Sequence, residues 1–190
     1  MGQSPKSAKL TTQVDDGRCH PSATYDRFKC AILFIDISGF TPLSARLGSK
    51  GSVGIEELSR VLNEYFSAQI ALVNAHGGDI LKFAGDALMA MWEENRSDAR
   101  QLACLRATQC ALELQDKLNP YHVLDCVLSI KMALGYGRAN AFHVGGVDGR
   151  WEFFVAGSPL IQVTVAEHQA QPGDVILSNA AWKQVMEQCE

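Results

Sequence analysis

Two aspartates occupy positions from which a carboxylate could hold a metal ion. Asp36 follows Cys30-Ala31-Ile32-Leu33-Phe34-Ile35, a continuous apolar run. An ionised carboxylate at the edge of such a strand is costly unless it is paired, hydrogen-bonded or metal-bound. The next residues, Ile37-Ser38-Gly39-Phe40-Thr41, lead into a helix, where converging backbone N–H groups suit a phosphate. Asp86 sits at the tip of a hairpin, in Ala84-Gly85-Asp86 between two apolar segments. If the first strand pairs with that hairpin, the two carboxylates come together. Two aspartates and a triphosphate can hold two Mg²⁺ ions about 3.5–4 Å apart. A plainer assignment makes Asp36 a helix N-cap and Asp86 a turn residue, and spacing alone favours it.

The elements that would position these residues follow from hydrophobic periodicity. The run Cys30–Ile35 reads as a strand buried on both faces, ending in a tight turn at Gly39 and Pro42. Ile55, Leu58, Val61, Leu62, Tyr65, Phe66, Ile70 and Val73 recur at helical spacing between Gly54 and Ala75, with a stop at His76-Gly77-Gly78. Asp79–Phe83 and Ala87–Trp92 make the hairpin. Ser97 is an N-cap for a helix through Leu118 that Asn119-Pro120 ends. Two strands, Val127–Gly135 and Arg138–Val147, come next, then a short strand Trp151–Val155. A helix from Pro159 to Gln169, a strand Asp174–Ser178 and a closing helix Asn179–Glu187 complete the chain. The order β, α, β, β, α, β, β predicts an α+β fold. It is a ferredoxin-like, split βαβ mixed sheet with helices on one face. Residues 1–27 are polar and aperiodic and read as a flexible lead-in; residues 28–190 form one domain.

Composition narrows the classes. The chain has 190 residues, 47% hydrophobic and 20% charged, enough for a core without staples. Its formal charge is −4 with no Lys/Arg block, which argues against nucleic acid as a partner. No apolar run reaches membrane-spanning length, and no hydrophobic leader opens the chain. The six cysteines, Cys19, Cys30, Cys104, Cys110, Cys126 and Cys189, form no CxxC pair and read as free thiols of a cytoplasmic protein. His76 reads as a helix C-terminal residue, and His143 and His168 as surface or satisfied core histidines. Trp92, Trp151 and Trp182 read as packing or interface aromatics. Gly135-Tyr136-Gly137 lacks the third glycine of a dinucleotide fingerprint and reads as a strand-end feature.

The wording of the two aspartate segments is more specific than their spacing. Phe34-Ile35-Asp36-Ile37-Ser38-Gly39-Phe40-Thr41 resembles the first metal motif of the class III nucleotidyl cyclases. Gly78-Asp79-Ile80-Leu81-Lys82-Phe83-Ala84-Gly85-Asp86-Ala87-Leu88-Met89-Ala90 resembles their second. Within that family the wording is most similar to the first catalytic half of bicarbonate-responsive soluble adenylyl cyclases. The resemblance implies the cyclase fold and conversion of ATP to 3′,5′-cyclic AMP and pyrophosphate. It assigns Asp36, Asp86 and the Ile37 carbonyl to two Mg²⁺ or Mn²⁺ ions, and Ser38, Gly39, Phe40 and Thr41 to the β- and γ-phosphates. Lys82 matches a base-reading or effector-binding lysine.

The family builds its sites at the interface of two cyclase domains, and the second surface supplies a base-reading Asp, an Asn and an Arg. Here those positions fall on Phe154, Ile161 and Val165, none of which can do the polar work. A one-residue slip would put Gln162 at the Asn position and still supply no Arg. Where bicarbonate-responsive relatives hold the anion with a Lys and an Arg, this chain has Lys82 and Thr164. The expectation is therefore a metal-binding half-site that needs a second, complementary cyclase domain, with a homodimer as the other arrangement. The competing reading is a catalytically inactive regulatory module that binds nucleotide or a partner cyclase domain. A third is a ferredoxin-like scaffold whose carboxylates meet by coincidence.

Overall fold

The apolar run around Ile32 forms a strand because its branched side chains pack on both faces of a sheet. In the computed structural model, which describes residues 8–10, 22–94, 103–147 and 150–186, that strand is β2 (Ser22–Ser38). A short β1 (Ala8–Leu10) pairs with it. After β2 come α1 (Phe40–Gly48), α2 (Ser52–Ala75), β3 (Asp79–Ala84), β4 (Ala87–Glu93) and α3 (Ala103–Leu118). Then follow β5 (Tyr121–Val123), β6 (Cys126–Val147), β7 (Arg150–Gly157), α4 (Ser158–Glu167), β8 (Val175–Leu177) and α5 (Asn179–Val185).

The sheet runs β3-β4-β2-β6-β5, and β7 and β8 also pair with β6. Its ladders are antiparallel except β6 with β8, so the sheet is mixed. Alternate residues of β2 serve two cores. Ala31, Leu33, Ile35 and Ile37 pack with Leu43 and Leu47 of α1, Tyr65 of α2, Leu114 of α3 and Val185 of α5. Cys30 and Ile32 face the other side and pack with Met89 and with Val163 and Ala166 of α4. Four helices thus share one face and α4 covers the other, rather than all lying on one side.

Other differences have local causes. The two strands expected over 127–147 are one 22-residue strand, β6. Gly135-Tyr136-Gly137 lies in its middle, not at a strand end. A Cβ on Gly135 would stand 2.3 Å from the Pro159 carbonyl oxygen, so the glycine admits the start of α4 rather than ending the strand. β2 begins at Ser22, ahead of the expected start at Phe28. Ser97, Cys19, Cys189 and most of the lead-in lie outside the described residues. Neither β1 nor β5 was expected from the sequence, both being three residues long.

Cys30, Cys104 and Cys110 are free and buried, and burial pushes each thiol up to about 12, as inert core residues. Among the described residues, no helix is long and apolar enough to cross a membrane.

Candidate functional site

The register of β2 decides which residues meet. Asp36 lies opposite Ala87 of β4 on one side and Lys131 of β6 on the other. Asp86 immediately precedes Ala87, in the β3–β4 turn, where Gly85 takes the left-handed φ of 67° that the turn requires. The two aspartates therefore stand at the same end of adjacent strands.

The β2–β4 ladder stops at this pair. Ile37 and Ser38 keep a partner strand only in β6, opposite Ile130 and Ser129. Gly39 then turns the chain with φ 93° and begins α1, which has no side-chain cap and no acid in its first turn. The positive end of α1 is thus not neutralised from within the helix. Gly39 is also confined, since a Cβ there would lie 2.5 Å from the Val127 carbonyl oxygen. Ser38, Gly39, Phe40 and Thr41 are brought together with Asp36 at one end of the sheet by strand, turn and helix in succession.

Lys131 stands beside Asp36 and was not singled out from the sequence. Its Nζ lies 3.3 Å from Asp36 Oδ2 and 2.6 Å from Glu167 Oε1, with all three side chains about a fifth exposed (20–23%). The Glu167 hydrogen bond is the main influence holding the ammonium above its ordinary pKa, and Asp36 adds to it against burial. No spacing rule points to Lys131. Only the β2–β6 register would have found it.

The residues expected to read a base or effector lie elsewhere. Lys82 and Phe154 line one cleft of about 110 Å³, with Leu81, Met89, Phe153, Val155 and Leu160. Phe154 stacks on Phe142 at 4.9 Å, and Phe142 on Tyr25 at 5.9 Å, so its ring extends an aromatic ladder across three strands. Ile161 and Val165, one turn apart on α4, are 69% and 58% exposed and carry no donor. Gln162 points inward: its Oε1 accepts from the Tyr136 N–H at 3.1 Å and the Ser178 hydroxyl at 2.7 Å. Ser178 in turn caps α5 by accepting from the Ala181 N–H. Gln162 is therefore committed to seating α4, and the slipped register gains nothing from it. Thr164 donates its hydroxyl to the Leu160 carbonyl of its own helix.

Three histidines make local contacts. His76 is the C-cap of α2 and its Nε2 lies 2.6 Å from Glu113 Oε2. His143 packs on Phe153, and His168 donates from Nδ1 to the Thr164 carbonyl. Trp92 is fully buried and donates to the His76 carbonyl, whereas Trp151 and Trp182 are exposed.

The donor set decides which metal could be held. Among the described residues no three His, Cys, Asp or Glu side chains gather into a cluster. Asp36, Asp86 and the Ile37 carbonyl offer hard oxygens, too few to cage an ion alone. Mg²⁺ and Mn²⁺ favour such oxygens, and Mg²⁺ is usually bound by one or two carboxylates completed by substrate phosphates. The residues present fit that pattern and do not fit a structural zinc site.

Comparison with known proteins agrees with this architecture. Residues 23–189 match the adenylate and guanylate cyclase catalytic domain family. Adenylate cyclase type 10 of Rattus norvegicus is 35% identical over 161 residues, covering 82% of this chain and 10% of that protein. The Homo sapiens protein of the same name is 34% identical over 183 residues, covering 93% of this chain and 11% of its own length. The chain thus spans about a tenth of these relatives. The crystal structure of the adenylyl cyclase CyaB from P. aeruginosa superposes with a TM-score of 0.72 at 22% identity, covering 86% of this chain and 83% of that one. That likeness establishes the fold.

Proposed function

Because the chain belongs to the adenylate and guanylate cyclase catalytic domain family, we propose that it is the metal-binding half of a cytoplasmic nucleotidyl cyclase that converts ATP to 3′,5′-cyclic AMP. The observation that carries this reading is the β2–β4 register, which sets Asp36 beside the turn holding Asp86. The names of the relatives favour adenine over guanine.

Asp36 and Asp86, with the Ile37 carbonyl, would hold two Mg²⁺ or Mn²⁺ ions. Bound there, the ions supply charge neutralisation of the triphosphate and a lowered pKa of the ribose hydroxyl. Backbone N–H groups around Gly39, Phe40 and Thr41 bind the β- and γ-phosphates at the open end of α1, with Ser38 beside them. Lys131, beside Asp36, faces the same polyanion. The ribose 3′-oxygen attacks the α-phosphorus in line. The bond from that phosphorus to the bridging oxygen breaks, pyrophosphate leaves with the electron pair, and the hydroxyl proton passes to solvent.

Charge then accumulates on the α-phosphate, where donors fixed in advance contribute most to the rate. Phe154, Ile161 and Val165 supply none, so an Asn and an Arg must come from a second cyclase domain. The exposed apolar faces of Ile161 and Val165 favour one alternative, a regulatory module that binds nucleotide or a partner domain without turnover. Mixing with a complementary cyclase domain decides between them. The reading predicts Mn²⁺-dependent cyclic AMP formation that falls at least a hundredfold with Asp86→Ala. Turnover indifferent to Asp86→Ala would assign the chemistry to the partner alone.

A further inference from the structure

Asp36 is already paired before any metal arrives. Its partner is Lys131, delivered by the β6 register, and Lys131 has a second and closer partner in Glu167, the last residue of α4. Among the described residues, Lys131 is the basic side chain within ion-pair distance of Asp36. We propose that Lys131 is a resident counter-cation that competes with the divalent ion for Asp36, and that Glu167 is the carboxylate that draws it away. The proposal rests on the reading of Asp36 as a metal ligand.

A carboxylate left bare at the end of an apolar strand pays a desolvation cost. An ammonium 3.3 Å from Asp36 Oδ2 removes much of it. A divalent ion on the same carboxylate would repel that ammonium. Lys131 can yield because it keeps the Glu167 oxygen at 2.6 Å. Remove Glu167, and Asp36 becomes the sole anion holding the lysine, so the metal must displace it at greater cost. The three groups come from β2, β6 and α4, so the competition is built into how α4 seats on the sheet.

Mn²⁺ titration of the whole chain without nucleotide, followed by the paramagnetic resonance of free Mn²⁺, tests this directly. Lys131→Met should tighten Mn²⁺ binding about tenfold, the scale of removing one adjacent, partly screened charge. Glu167→Gln should weaken it about threefold, and Lys131→Arg should leave it within about twofold. The decisive variant combines Lys131→Met with Glu167→Gln. If Glu167 acts by holding Lys131, the double variant binds like Lys131→Met alone. Unchanged or weaker binding in a folded Lys131→Met variant overturns the proposal. So does a Glu167→Gln effect that persists once Lys131 is gone, since Glu167 would then act through its own field. If Lys131→Met does not fold, unchanged binding in Glu167→Gln overturns it. Asp36→Asn separates the two claims: parent-like Mn²⁺ binding in that variant would sink the metal-ligand reading itself.

Discussion

Asp36 stands at a strand end, and the residue that makes the turn after it is under two constraints at once. Gly39 takes φ 93° and lies against the Val127 carbonyl, whereas Gly85 takes φ 67° with open space around it. A side chain at Gly85 meets only the left-handed penalty, about 1–2 kcal/mol. One at Gly39 meets that penalty and a backbone clash. Gly39→Ala should therefore cost at least about 3 kcal/mol and Gly85→Ala about 1 kcal/mol, measured by denaturant unfolding. Equal losses would mean the Val127 contact relaxes freely. The meeting of Asp36, Asp86 and Gly39 at one sheet end was legible because the two motifs carry them in contiguous segments. Lys131 was not, because its importance exists only across the β2–β6 ladder, which no local pattern encodes.

At the scale of elements, β6 and α4 form the unit that the sequence concealed. The hairpin β3–β4 and helix α2 were readable from alternation, turn glycines and the 3.6-residue period. Gly135 and Gly137 looked like a break in β6 because glycine weakens strands. The structure gives them another purpose: Cβ atoms there would meet the Pro159 carbonyl at 2.3 Å and the Ser158 hydroxyl at 2.4 Å. Gly135→Ala should thus unseat the start of α4 and cost about 2–3 kcal/mol in a thermal melt. Gly48→Ala, with nothing within 4 Å, should be neutral or stabilising by about 0.5 kcal/mol. A neutral Gly135→Ala would contradict the close approach. Displacing α4 also moves Glu167, so the same variant should disturb the Lys131 pair.

Considered whole, and on the proposed function, the molecule presents one half of a reaction. Its sheet gathers carboxylates, an open helix end and a lysine at one place. Its α4 face exposes Ile161 and Val165, where the proposed reaction would need an amide and a guanidinium. The fold class was legible because element order survives errors in individual boundaries. On that reading the other half shows in the sequence only as apolar side chains at Phe154, Ile161 and Val165, and what complements them depends on another surface. The central claim is that this chain binds metal and nucleotide but needs a partner to turn over. The measurement is a cyclase assay with ATP and Mn²⁺ on the chain alone, across a concentration series, alongside Mn²⁺-dependent ATP binding. The account predicts binding without appreciable cyclic AMP. Clear production rising with the square of protein concentration would contradict it, since a homodimer would then be supplying the donors.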